Sequence, residues 1–381
     1  MSLRSARLPA LLLLAAAAFG LVLANSPLRE GAFALKSAQL IVGVPGLSVG
    51  GVIEEGLLAV FFFIAAVELR VELTSGLLAS PRRAMPPALA ALGGVLAPIA
   101  VYLAIARTGV VSAGWSIPTA TDVAFALGVL AIFGRALPPQ VRVFLLALAI
   151  LDDIVGIVFI AALSATGVKA GLLLLAAVCV AFFGVCSRRC ESAARRRALA
   201  GVLVSAPAAW LAAYASGVHP TIAGVALGLV MAPAPARTAR HALEPWVNGA
   251  VLPLFALSAA LVVIPPASAG APSPAFWGVL VALPLGKLVG IVLAGAAAQR
   301  LLRHPDAVPL ALGDLLAVGA LGGIGFTVSL LLTGLVFAQE PRVHDDATLG
   351  VLAGSAISLV LAAILVSWRS WHHRNTTPIS R

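Results

Sequence analysis

Four ionisable residues stand out inside apolar runs. They are Asp122 in Thr119–Gly128 (TATDVAFALG), the adjacent Asp152 and Asp153 in Ala147–Gly156 (ALAILDDIVG), and Lys287 in Leu283–Ile291 (LPLGKLVGI). On insertion scales a charge at the centre of a lipid-embedded helix costs roughly 2.5 to 3.5 kcal/mol, which makes residues kept there candidates for function. Segment position puts Asp152, Asp153 and Lys287 close to the middle of their runs and Asp122 nearer one end. Adjacent residues on an α-helix diverge by about 100°, so the two aspartates are expected to have different tasks. One carboxylate lines an aqueous cavity; the other pairs with a cation on a neighbouring helix, for which Lys287 is the one lysine inside an apolar segment. The alternative is an ion-pair cluster that only locks helices together, although apolar replacements are often no less stable than such a pair.

A carboxyl group in such a place can hold a proton, and its oxygens are hard ligands for a small cation. Proton and cation then compete for one site. Competition of this kind is enough for coupled exchange, provided that the empty site does not reorient.

The rest of the chain supplies the medium for these charges. Of its 381 residues, 61% are hydrophobic and 10% charged, against about a quarter charged in an ordinary soluble domain. Apolar runs such as Leu8–Ala24, Gly56–Leu69 and Gly350–Val366 approach or reach the roughly 20 residues of one helical crossing. Reading runs between loop signals gives about twelve crossings, centred near residues 16, 66, 96, 125, 152, 178, 206, 226, 254, 287, 324 and 357. The expected fold class is an all-α polytopic membrane protein, a single transporter domain over residues 1–381 in a bacterial inner membrane.

Charge in the loops sets the orientation. With a cytoplasmic N-terminus, the inside loops and tails hold clusters such as Arg82–Arg83, Arg188–Arg189 and Arg195–Arg197. The outside loops then hold only Arg29, Lys36, Arg107, Lys169 and Arg342. This asymmetry follows the positive-inside rule and places both termini in the cytoplasm. The net charge of +10 therefore reports topology and gives no reason to expect nucleic acid as a partner. A cleaved signal peptide is the other reading of the first segment, but apolar residues continue through Leu21, Val22 and Leu23. Between the first two spans, Gln39–Val44 and Leu47–Val52 flank Pro45–Gly46, which predicts a small periplasmic β-hairpin near 38–52. Cys179, Cys186 and Cys190 lack ligand partners at metal spacing.

Two segments carry helix breakers. Gly114 and Pro118 precede Thr119, Thr121 and Asp122, and VGALGGIGFTVS contains Gly319, Gly322, Gly323 and Gly325. Interior glycine costs about 1 kcal/mol, so interrupted helices are expected; close packing through small residues is the competing reading. Paired interruptions at membrane depth mark transporter sites.

Several motifs are shared with a known family. ATDVAFALGVLA (Ala120–Ala131), FLLALAILDDIVGIV (Phe144–Val158), GVHPTIAGV (Gly217–Val225), PWVNGAVLPLFA (Pro245–Ala256), LGKLVGI (Leu285–Ile291) and GGIGFTVSL (Gly322–Leu330) resemble those of NhaA-type sodium/proton antiporters. With EEGLLAVFFFIAAVELRVEL (Glu54–Leu73), the likeness runs from about Ala24 to Gly354. It implies twelve helices, with spans three to five and ten to twelve as inverted repeats whose broken fourth and eleventh helices cross. It also implies that Asp122 compensates opposed helix ends, that Asp153 is the principal ligand of the transported sodium, and that Asp152 shares the site as the partner of Lys287. Thr121 would lie close by. An aspartate pair resembles the electrogenic branch, in which more protons than sodium ions move per cycle. Sodium or lithium ions, protons and the bilayer are the implied partners, with no cofactor, no enzymatic reaction, and a homodimer formed through the hairpin.

Glu68 and Glu72 resemble the family's acidic cluster at the inner funnel, associated with pH response; the plainer reading is a solvated helix end with Arg70 as local partner. Two departures stand out. The Ala232–Glu244 loop is short and rich in Pro, Ala and Arg, with His241 its single histidine, and Leu257–Ala260 stands where asparagine next to glycine is common in the family. Among rivals, an intramembrane aspartyl protease needs YD and GxGD motifs that are absent. A cation channel predicts uncoupled current, and a sodium-coupled solute symporter requires a solute.

Overall fold

The computed structural model describes residues 7–39, 48–75, 79–164, 168–190, 195–264, 271–302 and 309–376. Its long elements, in chain order, begin with α1 (Arg7–Ala24), α2 (Arg29–Ser37), α3 (Leu58–Ser75) and α4 (Pro81–Ile105). A 3-10 segment (Val110–Thr119) then leads into α5 (Val123–Phe133). There follow α6 (Pro139–Ser164), α7 (Ala170–Arg189), α8 (Arg195–Ser216), α9 (Thr221–Val230), α10 (Pro233–Trp246) and α11 (Leu252–Ala259). The last are α12 (Pro274–Leu301), α13 (Leu312–Gly322), α14 (Phe326–Val336) and α15 (Pro341–Thr376).

Five of these helices, α4, α7, α8, α12 and α15, are long and apolar enough to cross a membrane. Two bent pairs, α1 with α2 at 111° and α13 with α14 at 45°, bring the number to seven if each is one span. The exposed face of α7 carries Leu174, Val178, Phe182 and Val185. That i, i+4 stripe would be buried in a water-soluble helix; outward-facing, it suits lipid.

The expected hairpin fares differently in its two halves. Its turn lies in residues 40–47, outside the described residues. The flanks meet in one antiparallel bridge, Gln39 to Ser48, with Val49 N donating to Ala38 O at 2.9 Å. The second strand, expected as far as Val52, is corrected: Val49–Gly51 is helical and runs into a π-helical turn, Val52–Leu57. The cause is Ser48, whose side chain accepts Gly51 N at 3.0 Å and caps the helix start.

By its contacts the chain divides into two compact units. One comprises Leu12–Gly76 and Ile157–Val263. Within it, Val67, Phe183, Leu227 and Met231 form a buried cluster joining α3, α7 and α9. The other comprises Leu77–Gly156 and Ile264–Arg381, and so gathers α4, α5, most of α6 and α12 to α15. In this second unit α4 and α12 cross at Gly93 and Gly290, where a Cβ on either residue would strike the carbonyl of the other. That unit holds all four of the charges singled out above.

Candidate ion-binding site

The site is assembled where two helices are interrupted. After Pro118, which lacks an N–H and disfavours helix in the residue before it, the 3-10 segment ends. Ala120 and Asp122 take extended backbone angles before α5 begins. Asp122 is the cap of α5: its Oδ1 accepts Phe125 N at 3.1 Å. The second interruption, Gly323–Gly325, separates α13 from α14.

The two breaks lie against each other and satisfy each other's backbone. Asp122 N donates to Ile324 O at 2.6 Å. Asp122 Oδ2 accepts both Thr327 N at 3.2 Å and Thr327 Oγ1 at 2.5 Å. One carboxylate thus caps the N-termini of α5 and α14 together, two ends that each carry a partial positive charge. The carbonyl ends are met in the same way: Ser329 Oγ of α14 donates to Ile117 O at 2.8 Å, and Thr121 Oγ1 lies 2.8 Å from Gly322 O. Backbone polar groups removed from water need such partners.

Lys287 enters from α12, just after a π turn at Ala282–Gly286 that contains Pro284. Its side chain is fully buried. Nζ reaches Asp152 Oδ2 at 2.5 Å and Thr121 Oγ1 at 2.6 Å. With its lone pair engaged by Lys287, the Thr121 hydroxyl has one proton for two acceptors, Asp152 Oδ2 at 2.7 Å and Gly322 O at 2.8 Å. Asp152, 2% exposed, keeps its other oxygen, Oδ1, without a hydrogen-bond partner among the described residues. A buried carboxylate oxygen in that position can accept a proton or a small cation.

Of the residues singled out in the sequence, Thr121, Asp122, Asp152 and Lys287 come together in one network. Asp153 follows Asp152 on α6, and its side chain lies outside the described residues. The Glu68 carboxylate, half-buried on α3, pairs with Arg240 on α10, while Arg70 donates to the Leu229 carbonyl. Arg70, the local partner suggested by spacing, thus also meets the backbone of α9. The Glu72 side chain lies outside the described residues. Sequence reasoning missed Thr327, Ser329 and Ser355, whose Oγ accepts Phe326 N at 3.1 Å. Their only signal was polarity in an apolar run, which serine and threonine share with many residues that merely bond to their own helix, as Thr333 does to Ser329 O.

Comparison with known proteins fits this arrangement. Residues 1–366 match the family described as Na+/H+ antiporter 1. The protein named Na(+)/H(+) antiporter NhaA 2 of Clavibacter michiganensis subsp. michiganensis is 50% identical over 376 residues, covering 97% of this chain and 91% of that one. The Na(+)/H(+) antiporter NhaA of Tropheryma whipplei is 44% identical over 368 residues, 96% of this chain and 94% of its own. That of Mycolicibacterium smegmatis is 38% identical over 387 residues, 98% and 88% of the two chains. The chain belongs to the Na+/H+ antiporter 1 family.

Proposed function

We propose that this protein exchanges sodium for protons across the membrane, and that the two ions take turns at Asp152 and Asp153. The observation that supports this most is the Oδ1 of buried Asp152, without a partner among the described residues, beside a lysine bridge and two helix breaks that lie against each other. Lys287 holds Asp152 Oδ2, Thr121 ties that oxygen to the end of α13, and Asp122 keeps the two half-helices in register. Asp153 supplies the principal ligand for the transported ion. Loading with sodium displaces protons, and only the loaded site reorients. With two aspartates more than one proton moves per sodium, so the membrane potential drives sodium export.

The proposed setting is the inner membrane, as one transporter domain of twelve spans. In it α4, the 3-10 segment with α5, and α6 form one repeat; α12, α13 with α14, and α15 form its inverted counterpart. Both termini face the cytoplasm, and two copies associate through the periplasmic 38–52 segment. No cofactor or covalent chemistry is required. In everted vesicles with an acid interior, added sodium should release protons, and Asp153→Asn should abolish that release in a folded protein. Release that persists in the variant overturns the reading. Sodium current without proton movement would instead indicate a channel.

A further inference from the structure

The backbone ties at the two breaks described above are made within and between the broken elements themselves, with one exception. Phe326 N, the first N–H of α14, is met by Ser355 Oγ at 3.1 Å, and Ser355 belongs to the continuous helix α15. Ser355 is 4% exposed. The next N–H, that of Thr327, goes to Asp122 Oδ2. The start of α14 is therefore held from two sides, by the carboxylate of the other broken helix and by a hydroxyl on an unbroken one.

The approach of α15 to the break is close enough for that bond to form. A Cβ on Gly323 would lie 2.8 Å from Ser358 Oγ and 2.8 Å from Leu283 O; one on Gly354 would lie 3.4 Å from Leu283 Cβ. The same face of α15 thus touches the break and the π turn of α12 that ends at Lys287. Movement of the α14 start would carry Thr327 away from Asp122 and, through Gly323–Gly325, disturb the Gly322 carbonyl that Thr121 shares with Asp152.

We propose that Ser355 is a positioning residue for ion exchange: its hydroxyl fixes the start of α14 on α15 and thereby sets the geometry in which the site takes sodium. The proposal rests on the site reading given above. A merely structural serine would affect folding alone; a positioning serine affects sodium affinity in the folded protein.

The test measures sodium-dependent proton release in everted vesicles, with the amount of folded protein checked by size-exclusion in detergent. Ser355→Ala leaves Phe326 N without its acceptor. It is expected to raise the half-saturating sodium concentration about tenfold, equivalent to about 1.4 kcal/mol, with the maximal rate little changed. Ser355→Thr, which keeps the acceptor, should restore affinity. Ser358→Ala, one turn along the same helix, removes a buried hydroxyl that has no hydrogen-bond partner among the described residues, and should behave as the parent protein.

Unchanged affinity in Ser355→Ala, no restoration by threonine, or an equal shift in Ser358→Ala overturns the proposal. If the alanine protein does not fold, Ser355→Cys, of similar volume but a weak acceptor, carries the same test, and parental affinity there overturns it. Loss of exchange on neutral replacement of Asp152 and Asp153, together with normal affinity in Ser355→Ala, removes only the role of Ser355. Exchange that survives those aspartate replacements removes the site itself.

Discussion

At the scale of single residues, the Lys287–Asp152 bridge has both partners almost wholly buried, and its geometry leaves little slack. Removing one member of a buried pair strands the other and costs about 3 to 5 kcal/mol. Lys287→Ala should therefore unfold at a markedly lower temperature in detergent, and adding Asp152→Asn should recover part of the loss because no charge remains unpaired. An unaltered melting temperature in the single variant would show that the bridge contributes nothing to the fold. These residues were legible in the sequence because a charge in an apolar run is expensive and rare. Thr327, Ser329 and Ser355 were not, since a hydroxyl in a helix can bond its own backbone at little cost. Which aspartate of the pair meets Lys287 could not be read from a 100° divergence alone; it depends on how α12 is turned by its π turn.

The helical elements show why the breaks stay where they are. Gly325 has ordinary right-handed helical angles, so its glycine is required by space and not by backbone conformation. A Cβ there would lie 2.7 Å from Leu283 Cδ2 and press on Ser329 Oγ, the hydroxyl that caps Ile117 O. Gly325→Ala should destabilise by about 1 to 3 kcal/mol, the usual range for overpacking. Gly334, on the same helix, has nothing within 4 Å of a built Cβ; Gly334→Ala should be neutral or stabilise by up to about 1 kcal/mol. Thermal unfolding of the two variants side by side checks the contrast, and equal shifts would contradict it. The glycine density of VGALGGIGFTVS left interruption and close packing as alternatives, and the structure has both at once. The π turn before Lys287 went unread, although Pro284, which cannot donate the helical bond, was its visible cause.

Seen as a whole molecule, the apolar runs were legible, and among the described residues five helices, or seven if each bent pair is one span, are long and apolar enough to cross a membrane. Ties at helix ends add to stability alongside burial of the apolar runs. At one end of the second unit, buried Asp314 on α13 accepts Arg369 Nε at 3.0 Å and lies 3.1 Å from His373 Nε2, both on α15. Arg369→Ala should lower thermal stability by about 2 kcal/mol, with His373 left as partial compensation; an unchanged melting curve would rule out that brace. In the other unit the tie is sensitive to pH. Gly217, at φ 85°, turns the chain between α8 and α9, and His219 follows with its ring buried and Nδ1 2.8 Å from Thr221 Oγ1. Burial pushes the imidazole down to about 4 from its ordinary 6.5. The folded protein therefore binds fewer protons than the unfolded chain between these values. Stability from this group is complete above pH 6.5 and is lost as pH falls towards 4, by up to about 3 kcal/mol. His219→Gln has no such proton to take up, so the gap between parent and variant melting temperatures should narrow or reverse from pH 7 to pH 4.5. Two curves that stay parallel over that range would mean that the ring is charged, or free to become so, in the folded state.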